Sequence, residues 1–305
     1  MSLKLALFVA LGAVTLWFIW AWWRLARQGK GVFANDPARA NTWYHSAVGF
    51  VMCFFDTLGI GNFATTTSAF KFRSSMLDEK IPGTLNVGYA LPTVAQAYIY
   101  ISIVKVDIWT LLLMIAASVL GAWLGAGIVA KWPRRKIQIG MGCALFAAAA
   151  LMLRAQLVSG GAGEGTLALN GLLLALGLAG NFILGAVMTL GIGLYAPCLI
   201  LVSLLGMNPS AAFPIMMGSC AFLMPTGGIR FIKEGSYSLP ATLAMTLAGI
   251  PAVLIAAFIV RSLPLTYVRW LVIMVVIYAA TMMLRSAFTQ KQNAPTPQAD
   301  GAVAD

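Results

Sequence analysis

The chain has 305 residues, of which 60% are apolar and only 10% are charged, and its mean hydropathy is +0.88. Soluble domains carry about 25% charged residues, so this chain has too little polar surface to cover a soluble globule. The composition predicts an all-α, polytopic membrane protein in a lipid bilayer and argues against the usual soluble enzyme classes. The net charge of +11 is typical of positive-inside bias and anionic lipid contact. No basic run is interleaved with aromatic residues, so no nucleic acid partner is expected.

Apolar runs long enough to cross a bilayer, about 20 residues, follow one another along the chain. The first covers residues 3–23 and ends in a tryptophan cluster before Arg24 and Arg27. This pattern favours a retained span with its basic end inside over a cleaved signal peptide. Two later runs, 45–72 and 167–205, are interrupted by glycine-rich breaks. The uninterrupted later runs are 83–104, 108–130, 137–157, 209–232, 238–260 and 265–288.

The two broken runs belong to an internal repeat. The sequence Thr57-Leu58-Gly59-Ile60-Gly61 recurs unchanged at 189–193, 132 positions later. Two shorter matches, at 91–93 with 224–226 and at 152–154 with 283–285, have offsets of 133 and 131. A duplicated unit of about 131 residues is therefore predicted. The expected organisation is an N-terminal span and basic loop at 1–42, a first repeat at 43–158, a second repeat at 159–289 and a disordered tail at 290–305.

The positions of the basic residues distinguish two membrane topologies. If both broken runs cross the bilayer, ten of the 20 Lys and Arg residues lie on each side, which is no bias. If both runs are re-entrant hairpins, 15 lie inside, and those left outside are Lys4, Lys105, Arg154, Arg261 and Arg269. The positive-inside rule favours the second model, although run 167–205 is long enough to cross fully and then re-enter.

The hairpin model also fixes how the repeats are related. Each repeat then has three crossings and one hairpin, and an odd number of crossings inverts the second repeat relative to the first. The whole chain has seven crossings and two hairpins, with its N-terminus outside. Inverted repeats whose broken helices meet near the midplane are a transporter architecture.

The first break predicts an anion site. Irregular backbone inside a bilayer is tolerated only where protein or a water-filled cavity satisfies its polar groups. After Gly59 and Gly61, a second half-helix is expected to begin near Asn62, with free N–H groups and the positive end of its dipole facing the membrane interior. Thr65 and Thr66 add donors beside this first turn.

The second break repeats this arrangement. It contains Gly191, Gly193 and Tyr195, and Pro197 suits the start of the following helix because an early N–H has no partner. Two such helix N-termini could converge on one small anionic substrate. The alternative is that both glycine pairs only permit close helix packing, but their repetition at equivalent positions favours a site.

Two charged residues are candidates for the transport chemistry. Asp56 is a carboxylate well inside an apolar run, and intramembrane carboxylates are candidates for proton coupling. The alternative is a neutral Asp56 that braces the hairpin backbone, since Met188 holds the equivalent position. Arg230 could supply a fixed charge for an oxyanion, although an arginine so close to Lys233 more often extends to the headgroups.

The remaining polar residues give weaker indications. Candidates for lining a pathway are Asn86, Gln96, Ser219, Cys220 and Thr226. The single histidine, His45, is expected at an interface next to Trp43 and Tyr44. The cysteines are expected to be small buried residues: Cys53, Cys143, Cys198 and Cys220. No CxxC pair or histidine cluster occurs, so no metal site and no cofactor are expected.

At these breaks the sequence resembles the sulfite exporter TauE/SafE family, also called toluene-sulfonate uptake permeases. That family repeats a G-x-G-G-G break before a proline-containing half-helix, and later carries a short G-x-(V/S)-x-(W/Y) hairpin. The matching segments are 58–61, 106–109, 190–193 with Pro197, 205–209 and 234–238. The family's later glycines are replaced by Asn62-Phe63 and Leu194-Tyr195, and no proline follows the first break. The resemblance covers nearly the whole chain except the first span and the tail.

The resemblance implies transport of small sulfur-containing or organic anions. The expected function is a secondary transporter (permease) that works by alternating access, with proton drive through Asp56 as an option. The expected location is a bacterial inner membrane, multi-pass, and no enzymatic activity is expected. The alternatives are an anion channel and an intramembrane enzyme or assembly factor handling a lipid or thiol. The substrate, the direction of transport and a homo-oligomeric state are left open.

Overall fold

The computed structural model describes residues 3–33, 36–129, 134–158, 165–188, 193–262 and 265–292. Every secondary-structure element in these residues is helical, apart from one bridge between Thr166 and Met207. Among the same residues, four helices are long and apolar enough to cross a membrane: Leu3–Arg27, Gly171–Met188, Pro209–Glu234 and Leu239–Ile259. The chain is an all-helical membrane protein, as its composition predicts.

The helices coincide with the predicted apolar runs. They are α1 (Leu3–Arg27), α2 (Pro37–Ala40), α3 (Thr42–Thr57), α4 (Phe63–Phe72), α5 (Ile81–Gly88), α6 (Ala90–Ile103), α7 (Ile108–Val129), α8 (Arg134–Val158), α9 (Gly171–Met188), α10 (Tyr195–Leu204), α11 (Ala212–Glu234), α12 (Leu239–Ser262) and α13 (Leu265–Gln292). Each broken run contains two helices, and α13 continues to Gln292. The disordered tail expected at 290–305 therefore cannot begin before residue 293, and 293–305 lie outside the described residues.

Two glycines end α3 and separate it from α4. Gly59 and Gly61 have φ angles of 99° and 81°, and residues that carry a Cβ rarely adopt positive φ angles of this size. A right-handed helix cannot continue through such residues, so the chain turns and a new helix begins at Phe63. In the second repeat Gly191 lies outside the described residues, and α10 begins directly after Leu194.

The first broken segment folds back on itself. The hydroxyl of Tyr44, near the start of α3, donates a 2.8 Å hydrogen bond to the carbonyl of Ala69, near the end of α4. The neighbouring His45 is buried, and its Nε2 lies 3.1 Å from Oγ of Ser75. The interfacial histidine expected from the sequence is therefore enclosed where the two ends of the segment meet.

The second broken segment also returns to its starting point. Thr166, before α9, accepts a 3.0 Å hydrogen bond from the N–H of Asn208 and donates its own N–H to the carbonyl of Gly206 at 3.1 Å. Both partners follow α10. The entry and exit of each broken segment therefore lie side by side, and each segment has the shape of a hairpin.

Helices of the two repeats pack in equivalent pairs. α3 packs along α12, and α7 packs along α9, so each broken helix is covered by a helix of the other repeat. A Cβ on Gly49 would lie 2.7 Å from Cα of Met245. Its counterpart Asn181 donates a 2.7 Å hydrogen bond to the carbonyl of Met114. Each of these residues is 131 or 132 positions from its counterpart.

One end of the helix bundle, here called the basic end, holds the end of α1, the loop before α5 and the start of α12. The N–H of Leu239 donates a 2.9 Å hydrogen bond to the carbonyl of Gly31, and Nζ of Lys80 donates to the carbonyl of Gly235 at 3.2 Å. Burial raises the pKa of Tyr237 to about 12. Its hydroxyl therefore keeps its proton and donates a 2.9 Å hydrogen bond to the carbonyl of Lys30.

The opposite end holds the start of α1 and the starts of α7 and α9. Nζ of Lys4 donates to the carbonyl of Ser102 at 3.4 Å, and the N–H of Asp107 donates to the carbonyl of Leu167 at 2.9 Å. The first hairpin begins at the basic end and the second begins at the opposite end.

The cysteine prediction is wrong at one position. Three of the four cysteines are buried, but Cys143 on α8 is exposed. A membrane helix is apolar on its outer face as well as its inner face, so an apolar sequence neighbourhood does not show which way a side chain points.

Candidate functional site

The two glycine-rich breaks line one small cavity, here called the break cavity. Its volume is about 270 Å³, which includes space open to the surroundings. Its lining residues come from both repeats and are Asp56, Gly61, Asn62, Phe63, Thr93, Met188, Gly193, Leu194, Tyr195, Cys220 and Met224. A second cavity of about 440 Å³ shares Gly61, Phe63, Gly193 and Tyr195 with it and extends to Thr65 and to Tyr278 on α13.

The N-terminus of α4 faces the break cavity. Asn62 is the residue before the helix, and its side chain makes no capping hydrogen bond. The first helical hydrogen bond runs from the N–H of Thr66 to the carbonyl of Asn62. The N–H groups of the first turn therefore have no partner within the helix. The hydroxyl of Thr65 points back to the carbonyl of Asn62 at 3.0 Å.

The N-terminus of α10 faces the same cavity. Leu194 precedes this helix without a side-chain cap, and the first helical hydrogen bond runs from the N–H of Cys198 to its carbonyl. Pro197 lies in the first turn, as the sequence predicts, where its missing N–H is not needed. Two helix N-termini, each carrying partial positive charge, thus lie at one cavity.

A chain of hydrogen bonds links Asp56 to the start of α10. Asp56 is buried, and its Oδ2 accepts a 2.9 Å hydrogen bond from Nε2 of Gln96. At the other end of the same amide, Oε1 accepts a 2.7 Å hydrogen bond from the hydroxyl of Tyr195. Asn62 lines the same cavity as Asp56. Gln96, named from the sequence only as a pathway candidate, is the residue that joins the two breaks.

Asp56 has no cationic partner in the part of the chain that the structure describes. The ion pairs there are Lys71–Asp78, Lys80–Glu79 and Arg230–Glu234, all at the surface. A buried carboxyl without a cation is held either by hydrogen bonds or by taking up a proton. Gln96 supplies such a hydrogen bond to Asp56, and protonation is the second option.

One wall of the break cavity is made of sulfur-containing side chains. Sγ of Cys220 lies 3.5 Å from Sδ of Met188, and Met224 follows Cys220 by one helical turn on α11. These groups are polarisable and only weakly polar. The cavity therefore combines a few hydrogen-bonding groups with soft, nearly apolar side chains.

The glycines at the breaks have open space beside them. A Cβ built on Gly61 or Gly193 meets no atom within 4 Å. By contrast, a Cβ on Gly121 would overlap the carbonyl of Phe182, and one on Gly185 would overlap that of Ser118. Close helix packing therefore accounts for Gly121 and Gly185, but no described atom fills the space beside Gly61 and Gly193.

Several residues named from the sequence lie away from the cavity. Gly59 packs near Phe213, whose ring lies 3.5 Å from a Cβ built there. Thr66 is buried, and its hydroxyl lies 2.7 Å from that of Tyr89. Asn86 donates to the carbonyl of Pro82 within its own helix.

Thr226 and Arg230 share an exposed face of α11. The hydroxyl of Thr226 donates to the carbonyls of Phe222 and Leu223, each at 2.9 Å. The Arg230 side chain is 84% exposed and pairs with Glu234 at 3.1 Å. Neither side chain lines the break cavity.

Some lining residues were missed from the sequence. Thr93 lies one helical turn before Gln96 on α6 and lines the break cavity together with Tyr195. A search of the same helix face for polar residues at a spacing of three would have found it. Phe63 and Met224 carry no such signal, because apolar side chains are common at every position of these helices.

Comparison with known proteins identifies a family in the first half of the chain. The family model described as Sulfite exporter TauE/SafE matches residues 1–152 of the 305. The match includes α1 and extends through the first break into α8, whereas the sequence resemblance left out the first span. No curated protein matches the chain, and no solved structure matches it.

Proposed function

Because the chain belongs to the sulfite exporter TauE/SafE family, a family of membrane transporters, we propose that it is a secondary transporter for a small anion. The substrate class we propose is a sulfur oxyanion or organosulfonate. Transport occurs by alternating access around the break cavity. The location we propose is a bacterial inner membrane.

The observation that carries this proposal is the convergence of two helix N-termini at one cavity. The first turns of α4 and α10 both face it, and Gly61 and Gly193 leave room for a ligand beside the backbone. Backbone N–H groups at a helix N-terminus bind anions without a formal positive charge. This matters in a bilayer, where a buried Lys or Arg is costly.

The shape of the cavity supports the proposed substrate class. A sulfonate has a compact oxyanion head and an apolar or polarisable remainder. The donors around Asn62 and Tyr195 suit the head, and the wall formed by Met188, Cys220 and Met224 suits the remainder. A carboxylate of the same size has fewer oxygens to share between two helix N-termini.

Proton coupling through Asp56 is part of the proposal. Asp56 is buried and lines the break cavity together with Asn62, the residue before α4. As an anion, it competes with a substrate anion for the donors of that helix end. Protonation removes this competition, which gives a physical reason for proton and anion to bind together.

The membrane arrangement we propose has seven crossings and two re-entrant hairpins in inverted repeats. The return of each broken segment to its starting point supports the hairpins, as at Tyr44 with Ala69. The basic end faces the cytoplasm, because most Lys and Arg residues of the sequence belong to that end in this arrangement. The N-terminus is then outside.

A binding screen of the purified protein tests the proposal. Calorimetry against sulfite, thiosulfate, methanesulfonate and acetate should show saturable binding of at least one sulfur anion and weaker binding of acetate. Preference for acetate would contradict the proposed substrate class. Flux in proteoliposomes then separates a carrier from a channel, since only a carrier gives saturable, gradient-coupled accumulation.

A further inference from the structure

A single side chain, Gln96, joins the proposed proton site to the proposed anion site. Its Nε2 donates to Asp56 at 2.9 Å, and its Oε1 accepts from the hydroxyl of Tyr195 at 2.7 Å. Gln96 is fully buried, so its amide has these neighbours and not water as partners. Tyr195 lines the break cavity at the start of α10.

Building on the proposed function, we infer that Gln96 couples protonation of Asp56 to anion binding by rotating its amide half a turn. The amide is suited to this role because one end is a donor and the other an acceptor. Rotation about the last side-chain torsion of a glutamine exchanges the two ends and is broadly allowed.

The ionised state of Asp56 fixes one orientation. A carboxylate only accepts hydrogen bonds, so Gln96 must present its NH₂ group to Asp56 and its oxygen to Tyr195. The single phenolic proton of Tyr195 is then held by Gln96. This donor at the cavity is therefore occupied and closed to a substrate anion.

Protonation of Asp56 favours the other orientation. The new O–H of Asp56 needs an acceptor, and the rotated amide supplies its Oε1. The NH₂ group now faces the oxygen of Tyr195, so the phenolic proton turns away from Gln96 and into the cavity. The Oγ1 of Thr57 lies 3.0 Å from Nε2 and donates its proton to the carbonyl of Cys53 at 2.7 Å. In the rotated orientation this hydroxyl turns its proton from Cys53 to Oε1, since a hydroxyl can accept or donate.

Proton and anion therefore bind cooperatively, since each stabilises the same orientation of Gln96. The titratable groups that face Asp56 are the thiols of Cys53 and Cys220 and the phenols of Tyr89 and Tyr195. Thiols and phenols ordinarily titrate near pH values of about 8.5 and 10. Below that range, Asp56 is the group among them that changes charge.

Calorimetry at several pH values tests the coupling. Methanesulfonate and thiosulfate are the probes, because both keep a constant charge between about pH 5 and pH 8, unlike sulfite. The variants are Gln96→Met and Tyr195→Phe. Tyr100→Phe is the matched control, since the Tyr100 hydroxyl donates to the carbonyl of Thr57 at 2.9 Å outside the Asp56–Gln96–Tyr195 chain.

The two variants should change the affinity for the anion in opposite directions. The wild type and Tyr100→Phe should bind the anion about tenfold more tightly at the low end of the pH range, the effect of one hydrogen bond to a charged group. Gln96→Met frees the Tyr195 hydroxyl, so at high pH it should bind the anion more tightly than the wild type, and only the repulsion from ionised Asp56 should still weaken binding as the pH rises. Tyr195→Phe lacks that donor, so at low pH it should bind the anion more weakly than the wild type. A purely structural defect cannot tighten binding at high pH.

The results separate this inference from the proposed function. If Gln96→Met or Tyr195→Phe shows the same pH dependence of binding as the wild type, the coupling role of Gln96 is wrong, while the proposed anion site is unaffected. Binding by the wild type without any pH dependence overturns the coupling as well. Binding of neither probe by the folded wild type overturns the anion site and the coupling together.

Discussion

The hydroxyl of Tyr195 donates a 2.7 Å hydrogen bond to Oε1 of Gln96, and this bond joins the break of one repeat to a helix of the other. Tyr195 begins α10, and Gln96 lies on α6 beside Asp56. A change in hydrogen bonding at either break can therefore affect the other break through Gln96 and Tyr195. The predictions below follow from this link and from the packing around it.

Replacing Asp56 should separate proton drive from substrate movement. Asp56→Asn keeps the shape of the side chain and cannot ionise, so proton-driven accumulation in proteoliposomes should be lost while exchange of internal for external substrate continues. Asp107→Asn is the matched control, because Asp107 caps α7 with a 2.8 Å bond to the N–H of Thr110 and asparagine caps equally well. Unchanged accumulation in Asp56→Asn would show that this carboxyl carries no coupling.

Gly193→Ala should weaken substrate binding without weakening the fold. A Cβ there meets no atom within 4 Å, and Gly193 lines both cavities. We expect the melting temperature in detergent to stay near that of the wild type while the KM for transport rises several-fold. A lower melting temperature with an unchanged KM would mean that Gly193 serves packing instead.

Gly121→Ala and Gly185→Ala should destabilise the fold. An added methyl group would overlap backbone carbonyls where α7 and α9 touch, and overpacking of this kind costs about 1–3 kcal/mol. Gly140→Ala on α8 is the control, since its Cβ meets nothing within 4 Å and alanine favours helix. Thermal unfolding should rank both packing variants below the control, and equal stability would argue against the close contact of α7 with α9.

Cysteine labelling tests the hairpin topology. Cysteines introduced at Arg39 and Glu79 should react with an impermeant reagent from one side of the membrane, and one at Lys105 should react from the other. Cys143 must be replaced first, because it is the exposed native cysteine while Cys53, Cys198 and Cys220 are buried. Reaction of positions 39 and 79 from opposite sides would mean that the first broken segment crosses the bilayer.

The sequence predicts the helices well because each is an apolar run with polar ends. The breaks are equally readable, since glycine pairs interrupt two such runs at equivalent places. Asp56 is found because a carboxylate is rare in an apolar run. Each of these features is visible within a short stretch of the chain, so one sequence is enough to predict it.

Other features depend on how the repeats pack. The bond between Gln96 and Tyr195 joins residues 99 positions apart, and no spacing rule connects them. The outward direction of Arg230 and the exposure of Cys143 depend on which helix face meets a neighbour. In a membrane helix both faces are apolar, so periodicity does not distinguish them.

Counterflow in proteoliposomes tests the central claim most directly, namely that the two breaks form the anion site of a carrier. Vesicles are preloaded with unlabelled substrate, the sulfur anion bound most tightly in the screen, and labelled substrate is added outside. A carrier exchanges the two, so the label should accumulate transiently above its external concentration, and Gly193→Ala should need more substrate for the same rate. Entry of the label that never exceeds equilibrium and rises linearly with concentration would contradict a carrier built around this cavity.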